Sequence, residues 1–380
     1  MRRILYVDPA PFAGGAQQSL RTLVECIHPE EFRPLAAGSP LLRDILPSVP
    51  WLPLDLPPLQ NFAGKPGRAF RFLFQSLMAA GTLRSAIRLF DVKLLHANGR
   101  GAFLPSLIAC KTTGVPLVWH ARDLLGPLLF DRFAARCANV TIVPSLAMVR
   151  RLWSNYPGLE RSEAPLVRPS KIHVIPNGVD TDRFRPFDQA AARQTLKLPV
   201  DRFIIGNIGQ WVPWKRVDLF LEAAKIAYAQ NPQLYFLLCG GPPPGEGAQL
   251  LVDYNDSPED MGTVLPWTDD VPMILAALDV LAHPAEQEAF GRTVVEAMSC
   301  GRAVIGANGG GVAETIVDGS TGLLFQPGNA ASLAVKMLSL SHNRERTAAM
   351  GRAGRQRVEE FYTAQKHAQQ VQEVYRRMLD

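Results

Sequence analysis

Along the first half of the chain, short apolar runs alternate with stretches in which apolar residues return every three or four positions. The runs 4–7, 93–97, 117–120, 140–143 and 172–175 are four or five residues long. That is the length and character of strands covered on both faces. Between them, 17–27, 101–112 and 147–153 carry helical spacing, so the pattern predicts a parallel sheet with crossover helices. The alternation lapses over 179–200 into charged, Pro-containing sequence, read as an interdomain linker. A second series then opens. It predicts strands at 203–208, 234–239, near Thr263, 280–282, 303–306 and 322–325, with a helix over 217–229. An apolar helix follows Gly291, and further helices begin at Ala331, Arg344 and Thr363. The expected fold is α/β: two Rossmann-like, doubly wound domains whose strands end toward a shared cleft, the usual ligand position. The expected boundaries are 1–185, a linker at 186–200, and 201–362. The glycine–proline stretch 240–247 reads as a surface loop without a role.

Bulk properties narrow the class. At 380 residues with 47% apolar content, the chain exceeds one ordinary core and is globular rather than disordered. No apolar run approaches the roughly 18–20 residues that cross a bilayer. The opening Met-Arg-Arg-Ile-Leu-Tyr-Val-Asp reads as a first strand rather than a signal peptide. Five scattered cysteines form no Cys-x-x-Cys pair, which suits reduced thiols in a cytoplasmic protein. Charge is uneven: residues 1–190 hold 23 Lys and Arg against 14 Asp and Glu, a net +9. Residues 191–380 hold 17 against 21, a net −4. The basic half points to an anionic partner, a membrane surface or a phosphorylated acceptor, or to plain solvation. Nucleic acid is disfavoured, since no aromatic-interleaved basic motif occurs.

Candidate chemistry centres on Glu288 and Glu296, eight positions apart around Phe290-Gly291 and the start of an apolar helix that Ser299-Cys300-Gly301 ends. A helix start binds anions because its first amides are unpaired and carry the positive end of the dipole. Glu288 falls in the loop ahead of that helix, and Glu296 is expected about two turns inside it. The two carboxylates are thus placed to grip hydroxyls on either side of a bound diphosphate, as in a nucleotide-sugar. Lys215, a short loop beyond the strand 203–208, is the cation for the phosphates. Gly14 and Gly15 form a loop through which backbone can approach a ligand, ahead of a helix. The bland alternatives are a solvated lysine, an ordinary glycine turn and exposed glutamates. No His, Cys and Asp cluster has metal-ligand spacing, and Asp180-Thr181-Asp182 lies in the linker. No metal or other cofactor is expected.

Several motifs in order carry a resemblance. They are Gly-Gly-Ala-Gln-Gln-Ser (14–19), Trp-His-Ala-Arg-Asp (119–123), Val-Ile-Pro-Asn-Gly-Val-Asp (174–180) and Gly-Gln-Trp-Val-Pro-Trp-Lys-Arg (209–216). The Glu-x7-Glu pair follows, then Gly-Gly-Gly-Val-Ala-Glu (309–314) and Asp-Gly-Ser-Thr-Gly-Leu-Leu-Phe (318–325). Together they resemble the retaining glycosyltransferases of family 4, which have the GT-B fold. The resemblance implies transfer of a sugar from a UDP- or GDP-linked donor to an acceptor hydroxyl, in glycan, glycolipid or polysaccharide synthesis. It makes Lys215 the phosphate-binding lysine and Glu288 the residue that binds the donor sugar, beside the amides of Ala289, Phe290 and Gly291. It gives Glu296 the ribose hydroxyls and puts His120 near the donor sugar. Asn177, Gly178, Gly310 and Glu314 would line the cleft, and the helix over 363–380 would return to the first domain. Two departures stand out. Gln210 replaces an arginine common in the family and donates only neutral hydrogen bonds, leaving Arg216 as a candidate to compensate. Arg216 in turn stands where the family often has glycine.

Other readings stay open at this level. A hydrolase pair requires both carboxyls to flank one glycosidic bond, and nothing else here resembles a hydrolase cleft. A nicotinamide oxidoreductase would use paired Rossmann-like domains, but Gly14-Gly15 is not Gly-x-Gly-x-x-Gly. A non-catalytic nucleotide-binding relative is the third alternative. Basic residues beside large apolar ones over 64–90 suggest a peripheral membrane contact or lipid-acceptor face, against a core helix with solvated arginines.

Overall fold

The computed structural model describes residues 1–11, 14–54, 56, 66–152, 171–241 and 260–380. The end of the expected 147–153 helix, residues 242–247 of the glycine–proline loop and the first two residues of 64–90 lie outside them. The chain divides into two compact units, Met1–Gly178 with Ala364–Asp380, and Val179–Thr363.

Unit 1 is built on β1 (Arg2–Asp8), β2 (Phe32–Gly38), β3 (Trp51–Pro53), β4 (Val92–Asn98), β5 (Leu117–His120), β6 (Val140–Val143) and β7 (Ile172–Val174). All pair in parallel in the order β3-β2-β1-β4-β5-β6-β7. The central strands are apolar throughout because helices cover both faces: Ile4, Leu5, Tyr6 and Val7 are fully buried. Those helices are α1 (Gly15–Glu25), α2 (Pro40–Ile45), α3 (Pro66–Leu89), α4 (Arg100–Thr113), α5 (Leu128–Cys137) and α6 (Leu146–Leu152). The last helix, Ala364–Leu379, puts Ala368, Val371, Val374 and Tyr375 into the same core as Ile4, Tyr6, Leu20 and Phe32.

Unit 2 has β8 (Phe203–Gln210), β9 (Leu234–Gly241), β10 (Gly262–Leu265), β11 (Val280–His283), β12 (Ala303–Ala307) and β13 (Gly322–Phe325). These too are parallel, in the order β10-β9-β8-β11-β12-β13. One core layer gathers Phe220, Phe236, Leu333 and Met337, and the other Leu278, Val294, Val295 and Met298. The helices are α7 (Gln189–Thr195), α8 (Val217–Gln230), α9 (Val271–Ala277), α10 (Arg292–Ser299), α11 (Val312–Thr315), α12 (Ala330–Ser341) and α13 (Arg344–Phe361).

The stretch 186–200 is not a linker. It holds α7, whose first amides, those of Ala190 and Ala191, donate to the Asp188 carboxylate at 2.9 and 3.1 Å. Buried Arg193 then anchors the helix to unit 2, pairing with Asp279 at 2.7 Å and donating to the Ala277 carbonyl at 2.9 Å. Asp188 and Arg193, which look like solvated linker, are a helix cap and half of a buried pair. The division falls instead after Gly178 and before Ala364.

In each sheet the strand order reverses once, between β1 and β4 and between β8 and β11. Such reversals open a crevice at the strand carboxyl ends, where open α/β sheets bind ligands. Asp8 and Asn98 close the strands at the first reversal, and Gln210 and His283 at the second. Among the described residues no helix is long and apolar enough to cross a membrane.

Candidate functional site

The second reversal carries the charged groups. Beyond β8 a single 3-10 turn, Pro213–Lys215, brings the Lys215 ammonium to 2.5 Å from Glu288 Oε2. Glu288 lies in the loop from β11 to α10, and the Nε2 of His283 is 3.5 Å from the same oxygen. Burial alone would raise the Glu288 carboxyl. The Lys215 ammonium, followed by His283, more than reverses this and holds it well below the ordinary carboxylate range. It is ionised, and its charge is already matched.

Glycines across the loop fix its height. Gly311 donates to the Glu288 carbonyl at 2.8 Å. A Cβ on Gly311 would stand 2.3 Å from the Ala289 carbonyl oxygen, and one on Gly310 would stand 2.5 Å from that of Glu288. Gly310 also has φ +56°, in the left-handed region. The 309–311 turn, whose Gly310 the resemblance assigns to the cleft lining, is thus the backing on which Glu288 rests. The backbone amides of Ala289, Phe290, Gly291, Arg292 and Thr293 find no acceptor among the described residues. With the α10 dipole behind them they form an anion-binding edge.

Glu296 is the fifth residue of α10, little more than one turn in, because Gly291 caps the helix directly before Arg292. The expectation of two turns is corrected accordingly. Its carboxylate accepts from Arg292 Nε at 2.7 Å. Burial pushes it above the usual carboxyl range, with Arg292 and Arg183 pulling the other way. Gln210 closes β8, partly buried, and its side chain has no hydrogen-bond partner among the described residues. Arg216 does not stand free to replace a missing phosphate cation. It donates to Glu286 at 2.7 Å and to Asp218 at 3.2 Å. It also adopts φ +53°, which accounts physically for the glycine expected there. Glu286 was not anticipated; its place two residues before Glu288 was the available signal. Glu314 supports the glycine turn: its N–H donates to Gly311 and its carbonyl accepts from Arg357, both at 3.2 Å.

Unit 1 holds the remaining candidates. Gly14 caps α1 and Gly15 begins it, but the Gly14 amide donates to Gln17 Oε1 at 3.1 Å, so it is bonded within the chain. Asn177 is buried, its Oδ1 accepting from Arg122 Nη1 at 2.6 Å and from Ser19 Oγ at 2.8 Å. Gly178 is the last residue of this unit before the chain leaves it. His120 is fully buried, and its Nε2 has no hydrogen-bond partner among the described residues. Its Nδ1 lies 3.3 Å from His96 Nε2, and His96 Nδ1 lies 2.6 Å from the Tyr375 hydroxyl. Burial first, then Arg122, His96 and His367, hold the His120 imidazole well below its ordinary pKa, so it is neutral. Sequence reasoning missed the network at the β1–β4 reversal. There Asn98 donates to Asp8 at 2.7 Å and Arg122 Nε donates to Asn98 at 2.7 Å. Polar residues ending apolar strands were the signal. Among the described residues no three His, Cys, Asp or Glu side chains are grouped to hold a metal ion.

Two parallel-sheet units, one with an ion pair and unpaired amides at its strand ends, define an α/β protein of the doubly wound class. Residues 13–183 match the model for Glycosyltransferase Family 4, and residues 188–357 match that for Glycosyl transferases group 1. The chain belongs to the family 4 glycosyltransferases and has their GT-B fold. It is 36% identical over 163 residues to D-inositol 3-phosphate glycosyltransferases of Mycobacterium bovis and Mycobacterium tuberculosis, a match covering 41% of this chain. The chain spans about a third (33%) of the length of these relatives. Among solved structures, Anabaena HepE in complex with UDP and glucose is similar with a TM-score of 0.81 and 24% identity, over 99% of both chains. Sucrose-phosphate synthase from Thermosynechococcus elongatus has a TM-score of 0.81 and 22% identity, over 100% of this chain and 99% of that one.

Proposed function

We propose that the protein is a retaining, metal-independent glycosyltransferase that moves a sugar from a UDP- or GDP-linked donor to an acceptor hydroxyl, in glycan, glycolipid or polysaccharide synthesis. The observation that carries this reading is the Lys215–Glu288 pair at the β8–β11 reversal, with the unpaired amides of 289–293 beside it. Departure of a nucleoside diphosphate leaves negative charge on the phosphate oxygens. Lys215 and those amides supply positive charge at that point, and donors fixed in advance are most effective where charge develops. Glu288 accepts from the donor sugar hydroxyls, and Glu296 from the ribose hydroxyls. Gly310, and Glu314 through its turn, hold Glu288 at working height. The glucose and UDP of the HepE complex and the inositol 3-phosphate of the mycobacterial relatives' name agree with this donor and acceptor chemistry. A panel of UDP- and GDP-sugars scored by nucleotide release tests the reading. We expect release from at least one donor without added divalent metal and with EDTA present. No release from any donor would refute it.

The same reading includes an anionic membrane surface as a partner. Phe70, Leu73, Phe74, Leu77 and Met78 repeat at three- and four-residue intervals along α3, and all are exposed, Phe70 by 73% and Met78 by 63%. Arg71 and Arg88 are exposed on the same helix. An apolar stripe flanked by cations suits the interface of an anionic bilayer. The protein is expected to co-sediment with phosphatidylglycerol vesicles at low salt, and F74S/L77S to remain in solution. Wild-type protein left in the supernatant would discard this partner.

A further inference from the structure

We propose that His283 is a positioning residue whose Nε2–H takes hold of the Glu288 carboxylate when a diphosphate draws Lys215 away from it. The inference rests on the donor reading above and adds to it the event by which the site changes from empty to loaded.

His283 closes β11 and is buried, with Nε2 making no full hydrogen bond in the structure. A buried polar atom left unmatched is costly and calls for a reason. The nearest carboxylate oxygen is Glu288 Oε2 at 3.5 Å, already claimed by Lys215 at 2.5 Å. A phosphate competes for that ammonium. Once Lys215 turns to it, Glu288 would be a partly buried carboxylate with its charge unmatched. The Glu288 backbone is held against the glycine turn 309–311, where Gly311 donates to its carbonyl at 2.8 Å and no Cβ would fit. Adjustment therefore falls to the Glu288 side chain. Closing 3.5 Å to an ordinary bond of about 2.8 Å is a small rotation. One carboxylate oxygen then accepts from His283, and the other is left for a sugar hydroxyl. The strand end itself is fixed, since Asn207 donates to the Ala282 carbonyl at 2.9 Å and His283 registers against Gly306 of β12. Arg216 is not available for Glu288, being engaged by Glu286 and Asp218.

Calorimetric titration with UDP and with GDP tests the exchange in wild type, His283→Phe, His283→Gln, Glu288→Gln and the double variant E288Q/H283F. Phe fills the space without a donor, and Gln restores an N–H. Loss of a hydrogen bond to a charged group predicts that H283F weakens nucleotide binding on the order of tenfold. H283Q should recover most of it. In the Glu288→Gln background, where no carboxylate needs a new partner, H283F should change affinity by less than about twofold, within the additivity expected of uncoupled sites. A merely structural role would weaken binding equally in both backgrounds and lower the unfolding temperature of both. Should Phe not fold at this buried position, His283→Leu gives the same comparison. Wild-type affinity in H283F or H283L, or an equal loss in both backgrounds, overturns the role of His283. Wild-type protein that binds neither UDP nor GDP overturns the donor reading, and this inference with it.

Discussion

Lys215→Ala is expected to lower turnover of a nucleotide-sugar donor by roughly 10²–10³-fold, the usual cost of removing one group that stabilises developing charge. The expectation follows from where the ammonium stands. Its side chain is 26% exposed, at the end of β8, with the amides of 289–293 nearby as the other positive elements. Gln210 brings no charge to this strand end, and Arg216 is held by Glu286 and Asp218. At about 4 Å and an effective dielectric of 20, one charge pair is worth roughly 4 kcal/mol. That attraction grows as the leaving diphosphate gains charge, so kcat should fall more than nucleotide affinity. The fold should persist, because a partly exposed ion pair contributes only about 1 kcal/mol. Steady-state nucleotide release, with thermal unfolding as control, makes the measurement. Turnover within a few-fold of wild type, in a folded variant, would remove Lys215 from the chemistry.

The layers of the fold were legible because buried parallel strands are almost continuously apolar. The runs at 117–120, 140–143 and 322–325 coincide with β5, β6 and β13. What failed to show had a local disguise. β2 interrupts its apolar residues with Arg33 and Pro34 and ends on Ala36-Ala37-Gly38, so its composition reads as loop; it is a strand because Pro34 and Leu35 pair with Ile4 and Leu5. β3 is three residues long and is held by pairing with Ala36 and Ala37. Short α7 looked solvated because its acidic cap and its arginine are charged, although one caps the start of the helix and the other is buried. The site divides in the same way. Glu288 and Lys215 could be singled out because a charged residue at a strand end or helix start has a direction dictated by the backbone. The meeting of Lys215 with Glu288 depends on β8 lying beside β11, and no local pattern reveals that neighbour. His283 lies one residue past the apolar run 280–282 and carried no signal of its own. Its relation to Glu288 depends on how the five-residue step between them curls back over the sheet. His120 shows the reverse case: a motif histidine whose burial among His96, Tyr375 and His367 only the tertiary packing discloses.

Glu288→Gln should lower donor turnover about as strongly as Lys215→Ala, roughly 10²-fold or more, since it withdraws a charged acceptor from a site whose geometry is otherwise kept. Glutamine has nearly the same shape, so the glycine-backed loop remains. The stability of unit 2 carries a second signature, with a definite sign. Lys215 and His283 depress the Glu288 pKa in the folded chain. The contribution of the carboxylate is therefore present above its unfolded value of about 4.3 and is lost as pH falls below it. The variant lacks this contribution at every pH. At pH 7 the wild type should be the more stable by about 1 kcal/mol, discounted for a Glu288 side chain 21% exposed. The difference should shrink as pH is lowered through the carboxylate range. Denaturant unfolding of both proteins at pH 7 and pH 3.5, followed by a probe in unit 2, measures it. A gap that holds steady or widens on acidification would mean that the carboxylate is not held ionised by Lys215, and the electrostatic basis of the site would go with it. A variant that keeps wild-type turnover while losing the stability gap would leave the pair as structural and take Glu288 out of donor binding.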